Sequence, residues 1–185
     1  MHEQGACHVL ITSVQLPPKD LERIGASPIS QLSDGAKVSS MILVGSSRTL
    51  KDDKDHLKPW FIQFPETPEH FRGVGDLFAA LTLARFQHTS TKAHTSSTTE
   101  TKLPAIARAA ELAVASVQGV LALTMKSPTF TASLTSSDDS QDSCEKQEIQ
   151  ARVERMRQRE LRIIAGRREI EDPVVRHQAV FLPLI

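Results

Sequence analysis

The chain has 185 residues, 22 of them basic and 22 acidic, so its formal net charge is zero. That length fits one domain with a real core, and the charge balance excludes the basic footprint of a nucleic-acid binder or of a protein held on an anionic membrane. Cys7 and Cys144 lie far apart with no CxxC or metal-ligand spacing, which suits reduced thiols in a cytoplasmic protein.

The residues from Met1 to His8 lack the basic-then-apolar pattern of a secretory signal. No apolar run is expected to approach the roughly 18 residues that span a bilayer. The first strand is expected at His8–Ser13, a short apolar, β-branched run of the kind buried in a parallel sheet. Residues 18–40 mix charge, Gly, Ser and Pro and read as a loop. Met41–Gly45 and Trp60–Phe64 are further strand candidates, separated by a polar stretch that suits a long-looped hairpin.

A helix is expected from Val74 to about His88, apolar on most sides over its first half. Residues 88–101 are low in complexity and read as an inserted loop, with His88 and His94 lacking partners at ligand spacing. Pro104 suits the start of a second helix, in which Ile106, Ala110, Ala113, Val117, Val120 and Leu121 make one apolar stripe. A second Ser/Thr/Asp-rich insert covers 127–143, followed by a charged helix from Cys144 to Arg159. Residues 161–164 continue that helix or form an edge strand, 167–173 make a charged turn, and 174–185 form an apolar tail. Strands interleaved with helices point to an α/β fold.

One stretch in this order bears chemistry: Phe71-Arg72-Gly73-Val74-Gly75-Asp76-Leu77-Phe78-Ala79-Ala80. Glycines at the mouth of a helix let the backbone approach a ligand, and the unpaired N–H groups and dipole of the first turn favour an anion there. A carboxylate beside a cradled phosphate suits phosphoryl transfer, with Asp76 accepting the proton of an attacking hydroxyl. The spacing alone equally admits a turn whose acid merely caps the helix.

Four blocks together resemble the C-terminal portion of the pyridoxal kinases, within the ribokinase-like family. They are Val9 to Pro17, Leu43 to Arg48, Phe71 to Ala80, and Glu160-Leu161-Arg162-Ile163-Ile164 running into Arg167-Arg168-Glu169-Ile170-Glu171-Asp172-Pro173. The glycine–aspartate block fits any ribokinase-like kinase, whereas the terminal block is particular to pyridoxal kinases. The resemblance implies a three-layer α/β sheet with flanking helices that lacks its N-terminal strands. Residues 1–185 would then be the C-terminal part of a single kinase domain.

The implied activity is ATP-dependent phosphorylation of the 5′-hydroxymethyl group of pyridoxal, pyridoxine or pyridoxamine in the cytoplasm. Asp76 matches the catalytic base, and Gly73, Val74 and Gly75 match the anion hole. Thr12, Ser13, Thr67, Glu69 and Phe71 match the nucleotide's surroundings, and Thr12 also the monovalent cation, K⁺. Mg²⁺ is implied with most of its ligands in the N-terminal half, and a homodimer with no nucleic acid or membrane partner. Val74 departs from the family's usual threonine, which removes a hydroxyl from the anion hole. The first strand is expected to leave an apolar edge open. The alternative reading is a non-catalytic remnant of such a kinase that binds nucleotide or pairs with another subunit.

Overall fold

The computed structural model describes residues 1–26, 39–48, 57, 59–67, 69–93, 103–127, 153, 156–157 and 159–183, with the backbone alone over 88–93. After a short 3-10 turn at His2–Gln4 come β1 (His8–Val14), α1 (Pro18–Arg23), β2 (Ser40–Ser47) and β3 (Trp60–Pro65). The helices α2 (Val74–Ala93), α3 (Ala105–Met125) and α4 (Arg167–Glu171) follow, and β4 (Ala179–Phe181) ends the order.

The four strands form one sheet in the order β1-β2-β3-β4, each pair antiparallel. The expected β2–β3 hairpin is therefore present. The expectation of a buried, parallel first strand is not met. β1 lies at the sheet's edge, pairs antiparallel with β2, and leaves Ile11 52% exposed. An edge strand has a neighbour on one side only, so its apolar run is not evidence of burial on both faces.

Alternation along the strands sorts the side chains to two faces. Leu43, Trp60 and Ile62 pack with Ile106, Ala107, Ala110 and Val114 of α3, and Phe78 and Phe86 of α2 close over them. On the opposite face Ile42 and Phe61 pack with Leu21 and Ala26 at the end of α1. Helix, sheet and helix thus make three layers.

Part of the stretch read as a loop at 18–40 is helical. Pro17 caps α1 with an extended backbone, Pro18 takes the first helical position, and Leu21 is buried at 5%. Six residues with one buried leucine leave almost no periodicity to read; residues 27–38 lie outside those described. α2 continues past its expected end into the first insert, to Ala93, while 94–102 are not described. The second insert, beyond Ser127, and most of the charged helix at 144–159 also lie outside the described residues.

Residues 161–164 are neither helix nor strand but lead through a turn into α4, where a charged turn was expected. α3 is 21 residues long with a mean hydropathy of 1.5 over its most apolar window, so length and composition would let it cross a membrane. The expectation that no apolar run approaches that length is therefore not met; 67% of the window is buried inside the fold, as befits a core helix. Its buried Glu111 accepts the Ala179 N–H at 2.8 Å and the Arg108 guanidinium at 2.6 Å, which fastens β4 to α3.

Candidate functional site

β1 does not end as a straight strand. Its register with β2 shifts between Ile11 and Val14, and Ser13 takes φ 60°. A left-handed residue that is not glycine costs about 1–2 kcal/mol, and such strain is often found where a site demands it. The bulge turns Thr12 and Ser13 onto the rim of a cleft of about 510 Å³. That size is in the usual range for small-molecule sites.

The loop after β3 forms the next wall. Glu66 is held by its N–H to the Ser39 carbonyl (2.8 Å) and by its carboxylate accepting from Gln15 Nε2 (2.8 Å). Thr67, Glu69, His70 and Phe71 then line the cleft in succession. Phe71 is buried against Val117 and Leu121 of α3, which anchors the loop to the floor.

Gly73, at φ 80°, turns the chain into α2 and accepts the Leu77 N–H at 2.9 Å as the first helical bond. Side chains rarely adopt that φ, although the space around a Cβ would be open. Gly73, Val74 and Gly75 all line the cleft, and the N–H groups of the first turn have no acceptor within the helix. Asp76 is not part of the lining, although Gly75 before it and Phe78 after it are. Its side chain is exposed and makes no ion pair among the described residues.

The structure therefore brings Thr12, Ser13, Thr67, Glu69, Phe71, Gly73, Val74 and Gly75 to one cleft and leaves the Asp76 side chain outside its lining. Sequence reasoning took in the loop from Thr67 to Phe71, which includes His70, but missed Glu66, Met41 and Leu43 and the contribution of α3. Gln118 is the one side-chain amide in the lining, beside Val114 and Val117. Its signal was available as a polar residue next to Val117 in the apolar stripe. Among the described residues no three of His, Cys, Asp and Glu gather as a metal site.

No family model matches the chain, and no curated protein matches it. Solved structures do. Pyridoxal kinase from Leishmania donovani in complex with ADP superposes with a TM-score of 0.54 at 17% identity, covering 98% of this chain and 42% of that one. The same enzyme with ADP and pyridoxine gives 0.56 at 18% identity, covering 98% and 41%. Plasmodium falciparum PdxK with the ligands AMP-PNP and PL gives 0.51 at 16% identity, covering 97% and 39%. The fold is similar to part of these kinases' fold. The chain spans about two fifths of the length of these neighbours, and at such identity the likeness concerns the fold alone.

Proposed function

We propose that this chain is the C-terminal, nucleotide-handling part of a ribokinase-like pyridoxal kinase acting in the cytoplasm, with ATP as phosphoryl donor and a vitamin B6 alcohol as acceptor. One observation carries the reading: a bulged strand end and a glycine-led helix mouth meet at a single cleft. The ligands of the structural neighbours, ADP with pyridoxine among them, support the choice of substrates.

In this mechanism the triphosphate tail lies against the N–H groups at Gly73–Gly75, where the helix dipole offsets negative charge. Asp76 takes the proton of the 5′-hydroxyl as its oxygen bonds to the γ-phosphorus. The bond from that phosphorus to the β–γ bridging oxygen breaks, and ADP leaves. Transfer of this kind asks the protein chiefly for position and charge neutralisation. Thr12 and Ser13 flank the phosphates, with K⁺ at Thr12, and Thr67, Glu69 and Phe71 border the nucleoside. Mg²⁺ would supply further neutralisation of phosphate charge, with most of its ligands in the N-terminal half that this reading implies. Pairing of two copies belongs to the same proposal.

The test is ADP release from ATP by the purified chain, coupled to a spectroscopic readout, with pyridoxal, pyridoxine and pyridoxamine in turn. Vitamer-dependent release supports the reading. Absence of both release and nucleotide binding refutes it. The exposed Ile11 on the edge strand β1 favours a second reading, a subunit that binds nucleotide and pairs with another polypeptide. Binding without turnover would select it.

A further inference from the structure

The terminal block is absorbed by neither the anion hole nor the nucleotide walls, yet with Arg159 just before it the block touches the site loop at three consecutive residues. The Arg72 N–H donates to the Arg159 carbonyl at 3.4 Å, and Arg72 and Glu160 form a parallel β-bridge. Arg159 Nη2 lies 3.6 Å from Glu69 Oε2. Leu161 packs into the apolar cluster of Phe71, Val117 and Leu121. Glu69, Phe71 and Arg72 are the residues that deliver the chain to Gly73.

The block is itself well fastened. The Arg162 N–H donates to Thr124 Oγ1 (3.2 Å), and its guanidinium donates to Ser127 Oγ (2.7 Å). Further on, Ser116 Oγ donates to the Glu169 carbonyl (2.6 Å) and Arg85 Nη2 to the Ile170 carbonyl (2.7 Å). Arg85 belongs to α2 and Ser116 to α3, so the block grips both site helices. Gly119 and Gly166 permit the approach: a Cβ on the first would meet the Glu169 side chain at 2.7 Å, and on the second Val120 Cγ2 at 2.8 Å.

We propose that residues 159–161 are a positioning strap for the glycine loop, holding 69–73 so that the mouth of α2 faces the cleft. The loop between Pro65 and Val74 has no regular strand or helix of its own to fix it. A bridge from a firmly docked segment supplies that restraint. Arg159 acts through Glu69 and the main chain at Arg72, touching no reacting atom. The functional consequence rests on the nucleotide-binding reading above; the restraint does not.

The test combines local hydrogen exchange of the amides at 69–76 with the dissociation constant of a fluorescent ADP analogue, in the full chain. Arg159→Glu sets two carboxylates together, and the swap Glu69→Arg/Arg159→Glu restores the pair. Exchange at 69–76 should quicken and affinity fall about two- to fivefold in the single variant, the scale of an exposed ion pair, with the exchange rate, the readout that does not involve Glu69 as a nucleotide neighbour, recovered in the swap. Leu161→Ala should quicken the same amides. Unchanged exchange in Arg159→Glu overturns the strap, even should Leu161→Ala fail to fold. Quickened exchange with nucleotide affinity unaltered also overturns it. Quickened exchange in a chain that binds no nucleotide before substitution supports the strap as loop restraint and refutes the kinase reading instead.

Discussion

Gly45 stands opposite Trp60 in the β2–β3 ladder, and the indole fills the space that a side chain at position 45 would need. Trp60 is fully buried, at 0% exposure, between the sheet and α3. The glycine is therefore a packing requirement of the central strand rather than a turn.

Gly45→Ala is expected to destabilise the fold by about 1–3 kcal/mol, the usual cost of forcing a methyl into a filled core. Urea unfolding measures it. In a Trp60→Leu background the same substitution should cost much less, because the two positions share one space.

Asp76→Asn should lower turnover by roughly 100- to 10,000-fold, the range for removal of a positioned general base. Stability should change little, since the side chain is exposed and outside any ion pair among the described residues. Initial rates with saturating ATP, beside a thermal melt, separate the two effects. A variant with full turnover would remove Asp76 from the mechanism.

Val74→Thr should tighten nucleotide binding or quicken transfer. A hydroxyl at the anion hole could donate to phosphate, and a hydrogen bond to a charged group contributes on the order of 1.5–3 kcal/mol. Val74 lines the cleft and also leans on the Phe71 cluster, so part of that gain is offset by lost packing. Titration with ATP reads the difference; equal affinity and rate would refute the prediction.

His177 sits against Phe64 with ring centroids 6.5 Å apart. Burial holds its pKa below the usual histidine value, with Arg176 adding to the effect and a hydrogen bond to the Gln63 backbone opposing it. Burial, and then the neighbouring His2, lowers His8 in the same direction. A depressed histidine prefers to be neutral in the fold, so the unfolded chain binds more protons between the two pKa values. The stability contribution is complete above about pH 6.5, the unfolded value, and is lost as pH falls through that window to the folded pKa. Urea midpoints between pH 7.5 and 5 should decline, and less steeply in His177→Gln.

The hairpin, the two long helices and the glycine loop were legible in the residues because each has a strong local signal. β2 and β3 are apolar runs bounded by polar ones, α3 has a 3–4 stripe, and Gly73 and Gly75 bracket a helix start. What was not legible depended on distant partners. Nothing near His8–Val14 tells that its neighbour runs antiparallel or that Ser13 breaks the register, because the bulge is defined against β2. α1 is helical largely because Leu21 finds Ile42 and Phe61. Gln118 is a site residue only once α3 lies beneath the loop that Phe71 anchors.

Arg85 and Ser116 both hold the terminal block by its peptide carbonyls, at Ile170 and Glu169. Every amino acid presents that carbonyl, so the grip is blind to which residues occupy 169 and 170. Those two hydrogen bonds set no condition on the side chains there, and what selects Glu169 is its close packing on Gly119 instead. A change at Arg85 or Ser116, by contrast, has no compensating replacement on the other side, and the tolerance of the joint is therefore one-sided.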